Sequence, residues 1–366
     1  MDVLEFGLEE ATPRALYDAL FEACPGALIQ QSTWWAEVIQ ELGPDRPIFL
    51  LCQRNGEALG GLPLYLYHGR LGNLLTSVPQ AGPLGGVFVR PELAAADIAA
   101  VYAALIRTAV EIVERCHAIA LNIITHPFED DLALYQRHLE PHYIFENFTQ
   151  YIPVESAIVA GTIQMRDSKT RNHLQRNLRR AVEAGLTVTT EATDEEFCEW
   201  YKIHCQRHTE IGAQPLDRRL LANIRTVLAP RGKGRFILVK RGNTIASGAL
   251  FISHVRVADV FMISMNTEFE SHAPNWLNIT AALHWAAEDG ISILNWQSSP
   301  NRTGGVYGFK RQWGSLERPY YFVTRLFRPA AEIREWGRDT LMQEFPGHYV
   351  VPFGILSDPH QNYFRK

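Results

Sequence analysis

Residues 49–64 read FLLCQRNGEALGGLPL and residues 236–251 read FILVKRGNTIASGALF. Aligned without gaps, Phe49 meets Phe236, Leu51 meets Leu238, Arg54 meets Arg241 and Gly61 meets Gly248. Each stretch is an apolar run, a two-residue turn and a second apolar run. Asn55-Gly56 and Gly242-Asn243 both tolerate the positive φ of tight hairpin turns, so each stretch is predicted to be a β-hairpin.

The correspondence continues downstream. Residues 97–115 (DIAAVYAALIRTAVEIVER) carry apolar positions at helical spacing and lead into HAIALNI. Residues 275–289 (NWLNITAALHWAAED) do the same and lead into GISILNW, so that Leu121-Asn122 matches Leu294-Asn295. Four ordered correspondences favour internal duplication over chance.

Each half also opens with helices. Thr12-Pro13 reads as a cap followed by proline at the first helical position. Ser32 or Thr33 caps TWWAEVIQEL. In the second half Ser168 or Thr170 opens a helix ending at Gly185, Thr193-Asp194 opens another, and residues 217–228 form a third. The predicted organisation is α/β, with one domain at 1–150, a second at 151–330 and a C-terminal helix and tail at 331–366.

Composition narrows the function classes. The net charge of -5 excludes a global basic field for nucleic acid or membrane, though not a local patch. The five cysteines are scattered without a CxxC, which suits a reduced, cytoplasmic protein. The acidic start MDVLEFGLEEATPR lacks a signal-peptide pattern, and no apolar run is long enough to span a bilayer. Nucleophile-elbow, P-loop and dinucleotide motifs are absent.

Two stretches carry candidate chemistry. Residues 304–315, GGVYGFKRQWGS, place Lys310 in a glycine-rich loop between aromatic residues. Lys310 is a candidate for stabilising an oxyanion or a leaving oxygen, or for gripping a phosphate; the alternative is a surface lysine. Tyr307, Phe309 and Trp313 either line that site or are core aromatics.

Residues 166–181, RDSKTRNHLQRNLRRA, hold Arg166, Lys169, Arg171, Arg176, Arg179 and Arg180 against one Asp167. Such a local patch binds phosphates, or else is a solvated helix face. Arg176 and Arg180 share a face, and Arg171 and Arg176 are the first candidates within the patch. His204 and His208 have metal-compatible i, i+4 spacing, but no third ligand accompanies them, so no metal is expected.

Five stretches then resemble a known family: LIQQSTWWAEVIQELG, GLPLYLYHGRLGNLLTSVPQAGPLGG, QRNLRRAVEAGL, APNWLNITAALHWAAEDGISILNW and GGVYGFKRQWGS. In this order they resemble the Fem-type aminoacyltransferases and related acyltransferases of the GNAT superfamily, over most of residues 28–325. The resemblance implies two tandem GNAT-like domains with mixed sheets flanked by helices, and acyl transfer to an amine. It implies an aminoacyl-tRNA donor and a catalytic role for the lysine of an FKxxxG motif, which here is Lys310.

Two features depart from the family. The long helical hairpin of some members is absent, since only residues 217–228 offer a counterpart. Asn295-Trp296-Gln297-Ser298 stands where an acidic residue often ends the strand before the motif. Ordinary GNAT enzymes cradle a coenzyme A pyrophosphate on a glycine-rich turn at a helix N-terminus. The equivalent ESHAPNWLN, with Asn275 as an N-cap, has no glycine.

The resulting expectation is an acyltransferase that forms an amide on a small-molecule or peptide amine. Aminoacyl-tRNA is the donor, no cofactor is tightly bound, and the oligomeric state is open, a tandem domain being able to work as a monomer. Lys310 is catalytic. Tyr307, Phe309, Arg311, Gln297, Asn275, Asn278 and, in the first domain, Trp35 bind substrate; Arg171, Arg176, Arg180 and Lys169 bind phosphate. The alternatives are an acyl-CoA-dependent N-acyltransferase acting on an amino sugar, exopolysaccharide or secondary-metabolite precursor, and a non-catalytic binding protein of the same fold.

Overall fold

A computed structural model describes residues 1–77, 84–159, 161–164 and 168–357. The stretch SVPQAGPLGG is therefore described only in part, and Arg166 and Asp167 of the basic stretch lie outside the described residues, as does the end of the tail. The chain divides into two compact units. One comprises Met1–Asn147 with the chain from Pro319 onward, the other Phe148–Arg318.

The first unit begins with β1 (Asp2–Phe6), α1 (Ala11–Glu22), α2 (Thr33–Ile39), β2 (Arg46–Arg54), β3 (Glu57–Gly69), β4 (Gly72–Thr76), β5 (Phe88–Val89), α3 (Ala95–Cys116), β6 (Ala118–Ile124) and α4 (Leu132–Leu139). β7 (Tyr143–Pro153) leads into the second unit. That unit continues through α5 (Val154–Ala157), β8 (Ile158–Val159), β9 (Thr162–Ile163), α6 (Ser168–Glu183), β10 (Thr187–Thr189), α7 (Asp194–Glu210), α8 (Arg218–Asn223), β11 (Gly234–Arg241), β12 (Thr244–His254), β13 (Val257–Met265), α9 (Pro274–Glu288), β14 (Ile293–Ser298) and α10 (Gly305–Arg311). β15 (Leu316–Leu326) returns to the first unit, where α11 (Ala330–Glu344) and α12 (Gly354–Ser357) follow.

Within the first unit the strand order is β1-β2-β3-β4-β6-β15, and within the second it is β10-β11-β12-β13-β14-β7. The two orders correspond strand by strand. Both predicted hairpins are present, and in each unit the strand after the hairpin lies parallel to the strand that follows the long helix. The sixth position is filled differently: β15 pairs with β6, whereas β7 pairs with β14.

The aligned glycines explain why the duplication kept them. A Cβ on Gly61 would lie 2.6 Å from the Tyr17 ring of α1, and one on Gly248 would lie 2.5 Å from the Trp200 indole of α7. In both units the glycine lets an aromatic from an opening helix lie directly on the hairpin. Tyr17 and Trp200 are fully buried, worth about 1.5–3 kcal/mol each for a side chain of this size.

The aligned asparagines behave alike too. Asn122 Oδ1 accepts from Thr324 Oγ1 at 2.6 Å, and Asn295 Oδ1 accepts from Thr149 Oγ1 at 2.6 Å. Both asparagines are fully buried, so each needs such a partner.

Local expectations differ from the fold at three points. α1 starts at Ala11 with Glu10 before it, so Thr12-Pro13 lies inside the first turn. α9 is preceded by Ala273 in the left-handed region, so Asn275 is a first-turn residue and not the cap. Residues 305–311 form a helix where a loop was expected; Asn301 Oδ1 receives the Gly304 N–H at 2.6 Å and starts it. Ser32 does cap α2, accepting from Trp35 N at 3.1 Å, and Thr193 and Glu196 form a reciprocal box on α7.

Candidate functional site

β13 and β14 run parallel for three residue pairs, from Val257–Ile293 to Asp259–Asn295. Beyond them β13 stays with β12 as far as Met265, while β14 is bonded to β7. The strands therefore part, and a wedge opens between their C-terminal ends. Buried groups fix its apex: Asn295 Nδ2 donates to Asp259 Oδ1 at 2.5 Å, and Asn295 Oδ1 also receives Gln297 N–H at 3.2 Å.

β14 then bulges between Asn295 and Ser298, with Gln297 at φ 60°. A side chain in the left-handed region is strained, and such strain gathers at functional positions. The consequence is that two successive carbonyls point the same way. Lys310 Nζ donates to Ser298 O at 2.8 Å and to Gln297 O at 3.2 Å.

Lys310 is only 6% exposed. Its pKa falls from the usual lysine value to about 8, because burial penalises the charged form. Two of its three N–H donors are engaged by these carbonyls, which leaves one for a substrate.

An aromatic cluster holds α10 in place. Phe309 meets Trp276 and Trp296 edge-on at 5.8 Å each, and Trp276 stacks on Trp313 at 4.6 Å. Trp313 is thus buried in the core, and Phe309 is half-buried against it. Ser315 Oγ closes the far end, donating to Lys310 O at 2.7 Å while receiving Trp296 Nε1–H at 2.8 Å. A Cβ on Gly305 or Gly308 would meet no atom within 4 Å, so part of α10 presents bare backbone to open space.

Tyr307 and Arg311 are on the same helix. The Tyr307 hydroxyl donates to Glu317, a bond that raises the phenol's pKa. Glu317 also receives Arg302 Nε–H at 2.9 Å, and the Arg302 guanidinium lies 3.9 Å from the centre of the Phe148 ring. Arg311 is exposed.

Beside α10 runs a groove of about 980 Å³ lined by Ser168, Lys169, Thr170, Asn172, His173, Arg176, Arg311 and Gln312. Lys169 and Arg176 from the basic helix thus share a groove with Arg311 from the Lys310 helix. Arg171 and Arg180 are exposed on α6 but do not line it. α6 itself packs on α9: Leu174 joins the core around Trp276, His173 meets the Trp276 ring at 5.1 Å, and Leu277 packs beside Ala181 and Phe269. The helix lies along the α9 N-terminus, where an ordinary GNAT enzyme would keep its phosphate turn.

Two expected substrate contacts, Trp35 and Asn278, are corrected. Trp35 is fully buried in the first unit and offers no surface. Asn278 is fully buried and donates to Ser247 Oγ. Asn275 Oδ1 is a buried acceptor without a hydrogen-bond partner. His204 uses both ring nitrogens, with Ser264 Oγ at 3.1 Å and Leu216 N–H at 3.1 Å, and burial lowers its pKa to about 4. Among the described residues no group of three or more His, Cys, Asp or Glu side chains could hold a metal.

Sequence reasoning missed His173, Glu317 and Thr149. His173 carried a signal, since it precedes Arg176 by one helical turn. The other two come from neighbouring strands and had none.

Comparisons with known proteins agree with this geometry. Residues 168–311 match the family described as "Acetyltransferase (GNAT) domain". A solved structure of FemX superposes with a TM-score of 0.68 at 16% identity, covering 91% of this chain and 99% of that one. A tandem GNAT protein from the clavulanic acid biosynthesis pathway gives 0.53 at 13% identity, covering 90% and 99%. L-PGS from Bacillus licheniformis gives 0.56 at 12% identity, covering 89% and 94%. A search of curated protein sequences gives no match. The chain thus shares the tandem GNAT fold of these structures, and the residues that match the acetyltransferase domain lie in its second unit. Among the described residues no helix is long and apolar enough to cross a membrane.

Proposed function

We propose that this tandem GNAT-fold chain is a cytoplasmic aminoacyltransferase that moves an aminoacyl group from tRNA to the amine of a small molecule or peptide. The observation that carries this reading is the buried Lys310 ammonium, held by two carbonyls at the end of β14 beside the wedge. In the reaction the neutral amine attacks the ester carbonyl of the donor. The C–N bond forms, the bond to the 3′-oxygen breaks, and that oxygen leaves with a proton. The third Lys310 N–H is available to the charge that develops on the ester oxygens, and at a side chain only 6% exposed such contacts are stronger than in water.

The anion sites favour tRNA as the donor. The turn before α9 has no glycine, Pro274 removes one N–H from the first helical position, and α6 packs alongside. These features disfavour a backbone cradle for a coenzyme pyrophosphate. The groove with Lys169, Arg176 and Arg311 instead suits a phosphodiester strand tracked by side-chain cations.

The test is single-turnover transfer from charged tRNA by wild type, Lys310→Ala and Lys310→Met. Both variants are expected to lose at least a hundredfold in rate with tRNA binding kept within about threefold. Near-full rates in both would overturn the role of Lys310.

A further inference from the structure

His173 ties the basic helix to the lysine-bearing helix. Arg176 Nη2 donates to His173 Nδ1 at 2.8 Å, and His173 Nε2 lies 3.1 Å from Gln312 Oε1. An arginine is only a donor, so Nδ1 must supply the lone pair. The ring is therefore neutral, carries its proton on Nε2, and donates that proton to Gln312. The edge of the same ring rests on Trp276, which fixes its plane.

We infer that His173 is a positioning residue for the donor's phosphates: it aims the Arg176 guanidinium into the groove and registers that guanidinium against α10. All three residues line the same groove. Arg176 is otherwise an exposed side chain on α6, and a free arginine surrenders rotamer entropy when a ligand immobilises it. A bond to Nδ1 spends part of that entropy before the ligand arrives, which is how preorganisation raises affinity. The bond uses one N–H of a five-donor fork, so the rest of the fork remains for phosphate oxygens. Gln312 lies two residues after Lys310, so the same ring sets the spacing between the phosphate contact and the reacting ester.

The inference rests on the proposed donor class, and the experiment separates the two. An asparagine amide oxygen falls near Nδ1, whereas a glutamine amide reaches the Nε2 position. His173→Asn therefore keeps an acceptor for Arg176, and His173→Gln keeps a donor for Gln312. Binding of uncharged tRNA and of inorganic tripolyphosphate is measured for both variants, for Arg176→Ala and for the double variant His173→Gln/Arg176→Ala.

The expected result is a loss of about thirtyfold for Arg176→Ala and about tenfold for His173→Gln, with no loss beyond that of Arg176→Ala in the double variant. His173→Asn stays within about threefold of wild type. Multiplying losses in the double variant, or equal losses for His173→Asn and His173→Gln, would overturn the inference. The imidazole ¹⁵N spectrum gives a ligand-free check: an Nε2–H tautomer whose Nδ1 resonance moves on Arg176→Ala supports it, and a proton on Nδ1 refutes it. If tripolyphosphate binds and shows this pattern while tRNA does not bind, the tRNA donor fails and the positioning role stands.

Discussion

Lys310 Nζ lies 2.8 Å from the carbonyl oxygen of Ser298, a strand-end acceptor turned inward by the bulge at Gln297. Backbone carbonyls thus take part of the place of water around the ammonium. A lysine in this setting gives up its proton at about pH 8 in the folded protein. Below that pH both the folded and unfolded states are protonated, and the folded state bears the cost of a buried charge. From about 8 to the unfolded value near 10.4 the unfolded state binds more protons, so stability rises with pH.

The expected gain for wild type relative to Lys310→Met over that window is roughly 3 kcal/mol, measured by urea unfolding between pH 7.5 and 10.5. A flat difference between the two proteins would show that Lys310 titrates normally.

Gly61 and Gly248 should respond alike to the same change. Alanine at either position brings a methyl within 2.6 Å of a buried aromatic ring, Tyr17 and Phe88 at Gly61 and Trp200 at Gly248. Each substitution is expected to cost about 1–3 kcal/mol, seen as a lowered urea midpoint at unchanged slope. If either variant unfolds at the wild-type midpoint, the ring does not lie where the duplication argument requires.

Gly308→Ala should separate fold from function. Nothing lies within 4 Å of the added methyl, and alanine favours helix by about 1 kcal/mol over glycine. The variant is expected to be as stable as wild type or slightly more so, with transfer reduced at least tenfold if substrate approaches bare α10 backbone. Full activity would place the substrate on another face of the helix.

The basic helix should reveal itself through salt. Removing Arg171 and Arg176 together is expected to lower the magnitude of the log K against log salt slope by up to about 2. Because only Arg176 lines the groove, Arg176→Ala should account for most of the loss in affinity. An unchanged slope would return α6 to the status of a solvated face.

The hairpins, the long helices and the repeat were legible in the sequence because each rests on local periodicity and turn chemistry. The surroundings of Lys310 were not legible, since a lysine after glycines says nothing about two carbonyls from a strand twelve and thirteen residues earlier. Trp35 and Asn278 were misread for one reason: polarity and motif membership do not reveal burial, and the packing that hides Asn278 comes from Ser247 on another strand. The helical state of residues 305–311 was hidden by its glycines, which argue for a loop until Asn301 is seen to supply the starting bonds. Strand order depends on β7 and β15 filling the same place in different units, and no local pattern carries that.

The most direct test is transfer itself. Purified protein is given labelled aminoacyl-tRNA or labelled acetyl-CoA with a panel of amines, and amide product is counted with wild type and Lys310→Ala. The account expects amide from aminoacyl-tRNA alone, lost in the variant and suppressed by high salt. Product from acetyl-CoA with none from tRNA would contradict it.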